Sequence, residues 1–510
     1  MFTLHLISDV AIRSNNEPWL GVVQDWLNVL LPMIRPHLYN NGGNILMLQV
    51  ENEYGAFGCE HEYITKLQGM LIDHLGTDTQ IFTTDGNRDV ELGCGKSPVP
   101  NTLTTVDFGP KDNIHNSFLL LKVFNRRGPL VNSELYTGWC DYWGQRHQTT
   151  EAAYLGIAID KILTMNASVS LYMWHGGTNF GLTSGGEVVG NNPTSYDYDA
   201  PQSECGDVKL DKYWAIRNAT TKHFGENTSP VPPNSKKWGG GVVKLSHSTR
   251  LVNLLNHDLG LFQYPRTMES LGVYSGVVAY VHNTSVQRME GTLVLSGIRD
   301  RAYVMVDGVY VKVAKQANST IIISSSKSLI LFVENMGHLN YKSAMKHNFK
   351  GLLNNITLDG VTITGWQHYL VPVIAAQSMS QQGVTGLSPI EHDENLSDRD
   401  YLSTPFLFNM KPLMPGGPTL FYTWFQGNPD KLDSFLDLTG WSKGFATLND
   451  HDLGRYWPDA GPQYTLYVPG LYFMPGYNVL TLTEMQSSYQ DLTVTFTTVP
   501  RIDGPFDPTA

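Results

Sequence analysis

Apolar runs of strand length alternate with helical patterns between residues 18 and 224. Apolar positions three and four residues apart predict helices, and unbroken apolar runs predict buried strands. The predicted helices are 18–38, 63–75, 117–124 and 149–165, and the predicted strands are 45–50, 79–84, 103–106, 129–132 and 168–173. Strands that alternate with helices at this spacing indicate βα units and a parallel sheet.

The run 45–48 is apolar without a break and predicts a strand buried on both faces. Because a closed (β/α)8 barrel needs eight strands, the pattern predicts either an incomplete TIM barrel or a different, open sheet.

The pattern changes after the Pro-rich segment 229–235, where short β segments rich in Val, Thr, Ile and Tyr replace the helices. A looser, polar stretch at 375–403 divides these segments into two groups. We therefore expect an α/β plus all-β chain with three units. They are a partial TIM barrel at 1–228, a jelly-roll-like β-sandwich at 229–375 and a second β-sandwich at 376–510.

Two predicted strands end abruptly in acids. Residues 49–55 (QVENEYG) follow the first strand and contain Glu51, Asn52 and Glu53, while Glu134 ends the strand at 129–132. In a parallel barrel, strand C-terminal ends converge on the active site. Two carboxyl groups there, with the indole and phenol rings that follow Glu134, favour cleavage of a glycosidic bond. The alternative for either acid is a polar turn, a helix N-cap or a salt bridge.

Two later stretches add candidate sugar contacts. Residues 171–181 (LYMWHGGTNFG) follow the last predicted strand, and residues 194–201 (TSYDYDAP) offer phenols and carboxylates. The glycines lack the Gly-Lys-Ser/Thr pair of a phosphate loop, so we assign them to close backbone packing. We predict no metal site and no cofactor, because no His residues have metal-ligand spacing with matching acids or thiols.

Charge and sequons restrict the compartment and the partners. The net charge of −12 disfavours nucleic acid, and no apolar run approaches the ~20 residues of a membrane span. Four cysteines permit three full pairings in an oxidising compartment. Asn-x-Ser/Thr sequons, which favour the secretory route, begin at Asn166, Asn218, Asn227, Asn283, Asn318, Asn355 and Asn395.

Together these stretches resemble the β-galactosidases of glycoside hydrolase family 35, particularly the lysosomal acid type. The matching motifs are 49–55 (QVENEYG), 82–86 (FTTDG), 105–109 (TVDFG), 132–139 (NSELYTGW), 176–180 (GGTNF), 194–201 (TSYDYDAP), 300–304 (DRAYV), 333–337 (VENMG) and 453–458 (LGRYWP). The resemblance covers nearly the whole chain from about Arg13. It implies that the unit at 1–228 is catalytic and that the β-sandwich at 376–510 is galactose-binding-like.

The resemblance implies a role for each matching residue. It makes Glu53 the general acid/base and Glu134 the nucleophile of a retaining exo-β-galactosidase. It implies that Asn52 and Tyr198 contact the sugar, and that Tyr172 and Trp139 shape the pocket. Glu51 is expected to be structural. The resemblance also implies a disulfide between Cys59 and Cys94 and a lysosomal or secreted location.

The first barrel strands and signal peptide of the family have no counterpart in this sequence. We therefore expect an N-terminally truncated chain with impaired folding or activity. The expected partner is a β-galactoside substrate. We expect no nucleic-acid partner and no membrane span, and formation of a homo-oligomer is possible. The alternatives are a non-catalytic galactoside-binding protein and an exo-glycosidase for another β-linked sugar.

Overall fold

The computed structural model describes residues 10–284, 288–315, 318–373, 416–487 and 491–510. Its first part is built on an open five-stranded sheet in the order β1-β2-β3-β4-β5, with every neighbouring pair parallel. These strands are β1 (Met47–Gln49), β2 (Gln80–Gly86), β3 (Leu103–Phe108), β4 (Val131–Tyr136) and β5 (Ser168–Tyr172). The predicted parallel sheet is thus confirmed.

Seven α-helices accompany this sheet in the described chain. They are α1 (Glu17–Ile34), α2 (Tyr54–Phe57), α3 (His61–Leu75), α4 (Asp89–Gly95), α5 (Ile114–Phe124), α6 (Ala152–Thr164) and α7 (Leu210–Phe224). The periodicity predicts α1, α3, α5 and α6 but misses the others. In α7 the buried residues are only Lys212, Ile216 and Ala219, so the helix has no apolar stripe to detect.

Helix α1 is shorter than predicted. Asn16 caps it by accepting a hydrogen bond from the Trp19 backbone N–H, and the helix ends at Ile34 rather than residue 38. The chain continues as a short 3-10 turn, Arg35–His37, because Pro36 has no N–H to extend the α-helical ladder.

The prediction that residues 45–48 form a strand buried on both faces is wrong. Leu46 is 70% exposed and Met47 is 37% exposed. The physical reason is position, since β1 pairs only with β2 among the described residues and forms an edge of the sheet.

The rest of the described chain forms antiparallel sheets, which agrees with the predicted all-β character. A first pair of sheets has the strand orders β10-β21-β11-β17-β14-β15 and β16-β12-β19-β20. Its strands are β10 (His257–Phe262), β11 (Gly276–Asn283), β12 (Met289–Leu295), β14 (Arg301–Val306), β15 (Val309–Lys315), β16 (Ser319–Ser326), β17 (Ser328–Asn335), β19 (Thr357–Leu358), β20 (Val361–Thr362) and β21 (Trp366–Val371). Residues from both sheets, such as Leu331 and Leu293, share one hydrophobic core.

A second pair of sheets has the orders β25-β24-β27-β22-β9 and β26-β23-β28-β8. Its strands are β8 (Gly241–Lys244), β9 (His247–Arg250), β22 (Thr419–Gln426), β23 (Ser434–Asp437), β24 (Gly444–Leu448), β25 (His451–Tyr456), β26 (Thr465–Val468), β27 (Tyr477–Glu484) and β28 (Thr493–Thr497). Two-stranded pairs complete the described strands: β6 (Gly186–Glu187) with β7 (Gly190–Asn191), and β13 (Ile298–Arg299) with β18 (Gly351–Leu352).

The second pair of sheets combines distant parts of the chain. Strand β8 pairs with β28, and β9 pairs with β22, so residues 241–250 join sheets whose other strands begin at Thr419. The looser stretch predicted at 375–403 lies outside the described residues.

The two pairs of sheets pack against each other. Tyr303 and Phe332 of the six-stranded sheet share a hydrophobic core with Phe445 and Met485 of the second pair. Among the described helices, none is both long enough and apolar enough to cross a membrane.

Candidate active site

The segment after β1 places Glu53 above the end of β2. The Glu53 backbone N–H donates to the Thr84 carbonyl at 3.0 Å, and the Gly55 N–H donates to Asp85 Oδ1 at 2.8 Å. Glu51 and Glu53 have φ values of +62° and +46°, so the chain reverses sharply here. The turn aims the two carboxylates in different directions.

Glu51 is held within the fold. Arg13 donates to both of its carboxylate oxygens, at 3.0 and 2.6 Å, and the Tyr63 hydroxyl donates to Oε1 at 2.8 Å. This paired, half-buried carboxylate ties the chain before α1 to α3. Its contacts are those of a structural residue.

Glu134 lies near the end of β4, two strands beyond β2. The register between β3 and β4 shifts there, so that Asp107 and Glu134 are directly paired. A β-bulge of this kind re-aims the side chains of a strand, and such bulges are common beside active sites.

The structure brings Glu53 and Glu134 into one site. Burial raises the pKa of Glu134 to about 7, with a contribution from the charge of Glu53. Burial, and then the charge of Glu91, raises the pKa of Glu53. Two neighbouring carboxyl groups with raised pKa values can hold a proton between them near neutral pH.

A buried polar layer lies beneath this pair. Asp107 Oδ1 accepts hydrogen bonds from Thr84 Oγ1 at 2.5 Å and from Ser133 Oγ at 2.9 Å. Burial, and then the charge of Glu134, raises the pKa of Asp107 well above its ordinary value. Burial therefore shifts Asp107 towards its neutral, protonated form. The sequence places it at a strand end but assigns it no role, because its burial depends on residues distant in the chain.

The predicted aromatic residues form one cluster, in which Tyr172 and Tyr198 interact electrostatically with Glu134. The ring of Tyr198 contacts Trp139 and Tyr172, with centroids 6.0 and 5.5 Å apart, and stacks on Tyr196 at 5.5 Å. Tyr198 is buried, whereas Trp139 is 40% exposed. The four rings form one wall with a face open to solvent.

Tyr136 also belongs to the site. From the sequence it is only one of several aromatic residues that follow Glu134. It hydrogen-bonds Glu53, and this contact offsets part of the rise in the pKa of that carboxyl. Its ring also contacts Trp139 at 5.2 Å in an edge arrangement. Its position at the end of β4, two residues after Glu134, is the signal that points to it.

Asn52 lies beside Glu53 on the exposed side of the turn. Its Oδ1 accepts a hydrogen bond from Gln49 Nε2 at 2.7 Å, and its backbone N–H donates to Glu51 Oε2. Among the described residues the Asn52 amide nitrogen donates no hydrogen bond, so it is available to a ligand hydroxyl.

A disulfide closes the chain behind the first acid. Cys59 and Cys94 are joined with their Cα atoms 4.5 Å apart, whereas Cys140 and Cys205 are free thiols. In the part of the chain that the structure describes, no cluster of three or more His, Cys, Asp or Glu residues is arranged to hold a metal ion.

Comparison with family models finds three matches along the chain. Residues 3–223 match Glycosyl hydrolases family 35, residues 265–372 match the first all-beta domain of beta-galactosidase, and residues 418–478 match a beta-galactosidase galactose-binding domain. The first match starts at residue 3, earlier than the Arg13 expected from the motifs.

Named relatives align over nearly the whole chain. A beta-galactosidase of Macaca fascicularis is 38% identical over 494 residues, which cover 94% of this chain and 70% of the relative. The human beta-galactosidase is 37% identical, covering 94% and 71%, and beta-galactosidase 17 of Arabidopsis thaliana is 34% identical, covering 95% and 72%. Among solved structures, a mutant of Bacteroides uniformis beta-glucuronidase 2 covers 95% of this chain and 56% of that one, at 10% identity and a TM-score of 0.28, too low to carry an argument.

Proposed function

The chain belongs to glycosyl hydrolases family 35, and from that premise we propose that this glycoside hydrolase removes terminal, non-reducing β-D-galactose from glycans, glycolipids or oligosaccharides. One observation carries the proposal furthest. Glu53 and Glu134, from two separate strand ends, interact electrostatically within an aromatic-lined site. Two carboxyl groups in one site are what glycosidic cleavage requires.

We propose a retaining, two-step reaction. Glu53 donates its proton to the glycosidic oxygen while the Glu134 carboxylate attacks the anomeric carbon, so the carbon–oxygen bond breaks and a glycosyl ester of Glu134 forms. Glu53, now a carboxylate, then takes a proton from water. The water oxygen attacks the same carbon and releases Glu134, and two inversions give net retention.

The raised pKa values suit these roles. The proton that the pair holds near neutral pH must lie on Glu53 in the productive complex, because Glu134 attacks as a carboxylate. Burial, which raises the pKa of Asp107, disfavours a third negative charge next to Glu134. Because burial raises the pKa of Glu134 to about 7, this residue becomes the charged nucleophile only when the proton of the pair lies on Glu53.

The aromatic wall would form the sugar pocket. Tyr198 and Tyr172 offer hydroxyls and ring faces to galactose, and the exposed ring of Trp139 borders the opening. The amide of Asn52, next to Glu53, would hydrogen-bond the sugar beside the bond being broken. Such a contact strengthens in the oxocarbenium-like transition state.

An assay with an aryl β-galactoside at mildly acidic pH tests the proposal. We expect turnover, a β-configured first product in the proton NMR spectrum, and a loss of at least ~10³-fold in kcat for Glu134→Gln. Glu62→Gln, an exposed glutamate on α3, is the matched control. An α-configured first product, or activity retained in Glu134→Gln, would contradict the mechanism.

The same assay separates the alternatives. Galactose binding without turnover by the wild-type chain would favour a non-catalytic galactoside-binding protein. Turnover of aryl β-glucosaminide in preference to the β-galactoside would favour another exo-glycosidase.

We further propose a finer description of the fold. The five parallel strands correspond to the last five of a (β/α)8 barrel, and the two pairs of sheets to jelly-roll-like sandwiches. The proposed units are 1–228, 229–375 and 376–510. Residues 241–250 fall within the second range, but their strands pair with those of the third unit. The separate hydrophobic cores of the two pairs support this division, and a hydrogen-exchange map would test it.

A lysosomal or secreted location is proposed on the exposure of the sequons. The asparagines of all the described sequons are exposed: Asn166, Asn218, Asn227, Asn283, Asn318 and Asn355. Asn395 lies outside the described residues. Exposed acceptors are accessible for N-glycosylation in the secretory route. A protein expressed in that route that shows no mass shift on enzymatic removal of N-glycans would contradict this proposal.

A further inference from the structure

The loop of residues 194–199 carries part of the aromatic wall in a backbone conformation that needs support. It contains Tyr196 and Tyr198, and Tyr198 and Asp199 have φ values of +60° and +49°. Residues other than glycine rarely adopt this left-handed conformation unless surrounding contacts impose it. The position of the Tyr198 ring therefore depends on what holds the loop at its two ends.

The C-terminal end of the loop is held from within the first part of the chain. Lys212 Nζ, on α7, donates to Asp199 Oδ2 at 2.5 Å and to the Thr137 carbonyl at 2.7 Å. Lys209 Nζ donates to Asp197 Oδ2 at 2.6 Å.

The N-terminal end is held by the second pair of sheets and by residues 177–179. The Asn179 N–H donates to the Thr194 carbonyl at 2.7 Å, and the Tyr196 N–H donates to the Gly177 carbonyl at 3.0 Å. Thr194 Oγ1 donates to the Arg455 carbonyl on β25 at 2.6 Å, and the Ser195 backbone N–H donates to Gln463 Oε1 at 2.9 Å. Thr194, Arg455 and Gln463 are each at most 2% exposed. Gln463 is fixed in turn, because its Nε2 donates to the Thr465 carbonyl at 2.8 Å.

Arg455 is itself locked by a buried network. Its Nε donates to Glu334 Oε1 on β17 at 2.7 Å, and its Nη1 donates to Ser184 Oγ at 3.2 Å. Lys443 Nζ and the Tyr303 hydroxyl also donate to Glu334, at 2.5 and 2.6 Å from Oε2. This carboxylate thus ties the first pair of sheets to the strand that meets the loop.

Close packing leaves the loop little room at this end. A Cβ atom on Gly454, beside Arg455, would lie 2.5 Å from Thr194 Cγ2. The contact between β25 and the loop is direct, with no space for a side chain between them.

We propose that Thr194 and Gln463 are positioning residues of the active site, through which the second pair of sheets sets the Tyr198 ring against Trp139 and Tyr172. The distant β-structure then supports sugar binding as well as the fold. The kinetic part of this inference rests on the proposed function.

The experiment compares Thr194→Val with Thr194→Ser. Valine keeps the shape but lacks the hydroxyl, so we expect KM for the aryl β-galactoside to rise about tenfold with kcat changed less than about threefold. Serine keeps the hydroxyl and should restore KM. Gln463→Met, which removes the acceptor of the Ser195 N–H, should reproduce the Thr194→Val effect.

Thr423→Val is the matched control, because Thr423 is a buried threonine of β22 whose hydroxyl bonds Ser246 within the second pair of sheets. It should lower the melting temperature to a similar extent but leave KM unchanged. Equal KM values for Thr194→Val and this control, or a failure of serine to restore KM, would overturn the proposal.

Hydrogen exchange provides a readout that needs no turnover. In peptides that cover residues 194–199, we expect exchange at least about tenfold faster in Thr194→Val than in Thr423→Val or the wild type. If the chain turns over no β-galactoside, the proposed function fails while this measurement still decides the inference. Unchanged exchange in Thr194→Val would overturn it.

Discussion

At the scale of single residues, burial shifts the acids of the site towards their neutral forms. Asp107 receives hydroxyl hydrogen bonds from Thr84 and Ser133, yet its pKa is raised because burial outweighs them. Its Oδ2 is buried and has no hydrogen-bond partner among the described residues. A protonated carboxyl is the form that such surroundings tolerate.

Asp107→Asn tests this protonation state. Because an amide matches a neutral carboxyl in shape and still accepts both hydroxyls, we expect the free energy of unfolding to change by less than ~1 kcal/mol. The pH profile of kcat/KM should also stay in place. Asp107→Ala, which removes the acceptor, should cost about 2–3 kcal/mol in a urea titration. An Asn variant as damaged as the Ala variant would mean that Asp107 is ionised.

The sequence can indicate residues of this kind only in part. Glu53 and Glu134 stand out because apolar runs end at them, and the structure places both in one site. Asp107 and Asp85 also follow apolar runs, but the burial that raises their pKa values depends on packing from elements far away in the chain. Motif position therefore identifies the candidates, and only the three-dimensional surroundings separate their roles.

At the scale of elements, two glycines bring the segments that follow β4 and β5 close to the loop of residues 194–199. A Cβ on Gly138 would lie 1.9 Å from the Tyr198 carbonyl oxygen, and one on Gly176 would lie 1.9 Å from that of Tyr196. Backbone atoms cannot yield as a flexible side chain does, so these positions require glycine.

Gly138→Ala should therefore displace the loop. We expect KM for the aryl β-galactoside to rise about tenfold or more, with a stability loss of about 1–3 kcal/mol from overpacking. Gly69→Ala is the control, because Gly69 lies within α3 with nothing within 4 Å of its would-be Cβ. That change should stabilise the protein by about 0.5–1 kcal/mol in thermal unfolding. An unchanged KM in Gly138→Ala would contradict the close approach.

The prediction of helices and strands fails where the local hydrophobic pattern does not reflect the tertiary position of the segment. Helix α7 buries Lys212 rather than an apolar stripe, because that lysine reaches Asp199 across the site. Strand β1 has the sequence of a buried strand but lies at the sheet edge. In both, tertiary position and not periodicity decides the outcome.

At the scale of the whole molecule, several buried acids make stability depend on pH. Burial raises the pKa of Asp85 and of Glu484 to about 8, and of Glu134 and Glu204 to about 7. Their ordinary values are 3.8 for Asp and 4.5 for Glu. Between these values the folded chain binds more protons than the unfolded chain, so stability falls as the pH rises.

We therefore expect a melting temperature several degrees higher at about pH 5 than at about pH 7.5, measured by calorimetry. Asp85→Asn should reduce this difference, since an amide does not titrate, whereas exposed Asp25→Asn should not. A melting temperature equal or higher at about pH 7.5 would contradict the raised pKa values.

The assembly of the sheets is the part of the fold that the sequence conceals most. The sequence predicts the β character of each segment, but it does not predict that β8 and β9 pair with strands that begin at or after Thr419. Such pairing depends on contacts between distant segments, which local patterns do not encode.

The most direct test of the central claim is to trap the glycosyl-enzyme. Incubation with 2-deoxy-2-fluoro-β-D-galactosyl fluoride slows the second step more than the activated first step, so a covalent ester accumulates. The account predicts one added fluorosugar in the intact mass and, after peptic digestion, a label on the peptide that carries Glu134, absent in Glu134→Gln. A label on Glu53 or another residue, or steady turnover with no adduct, would contradict it.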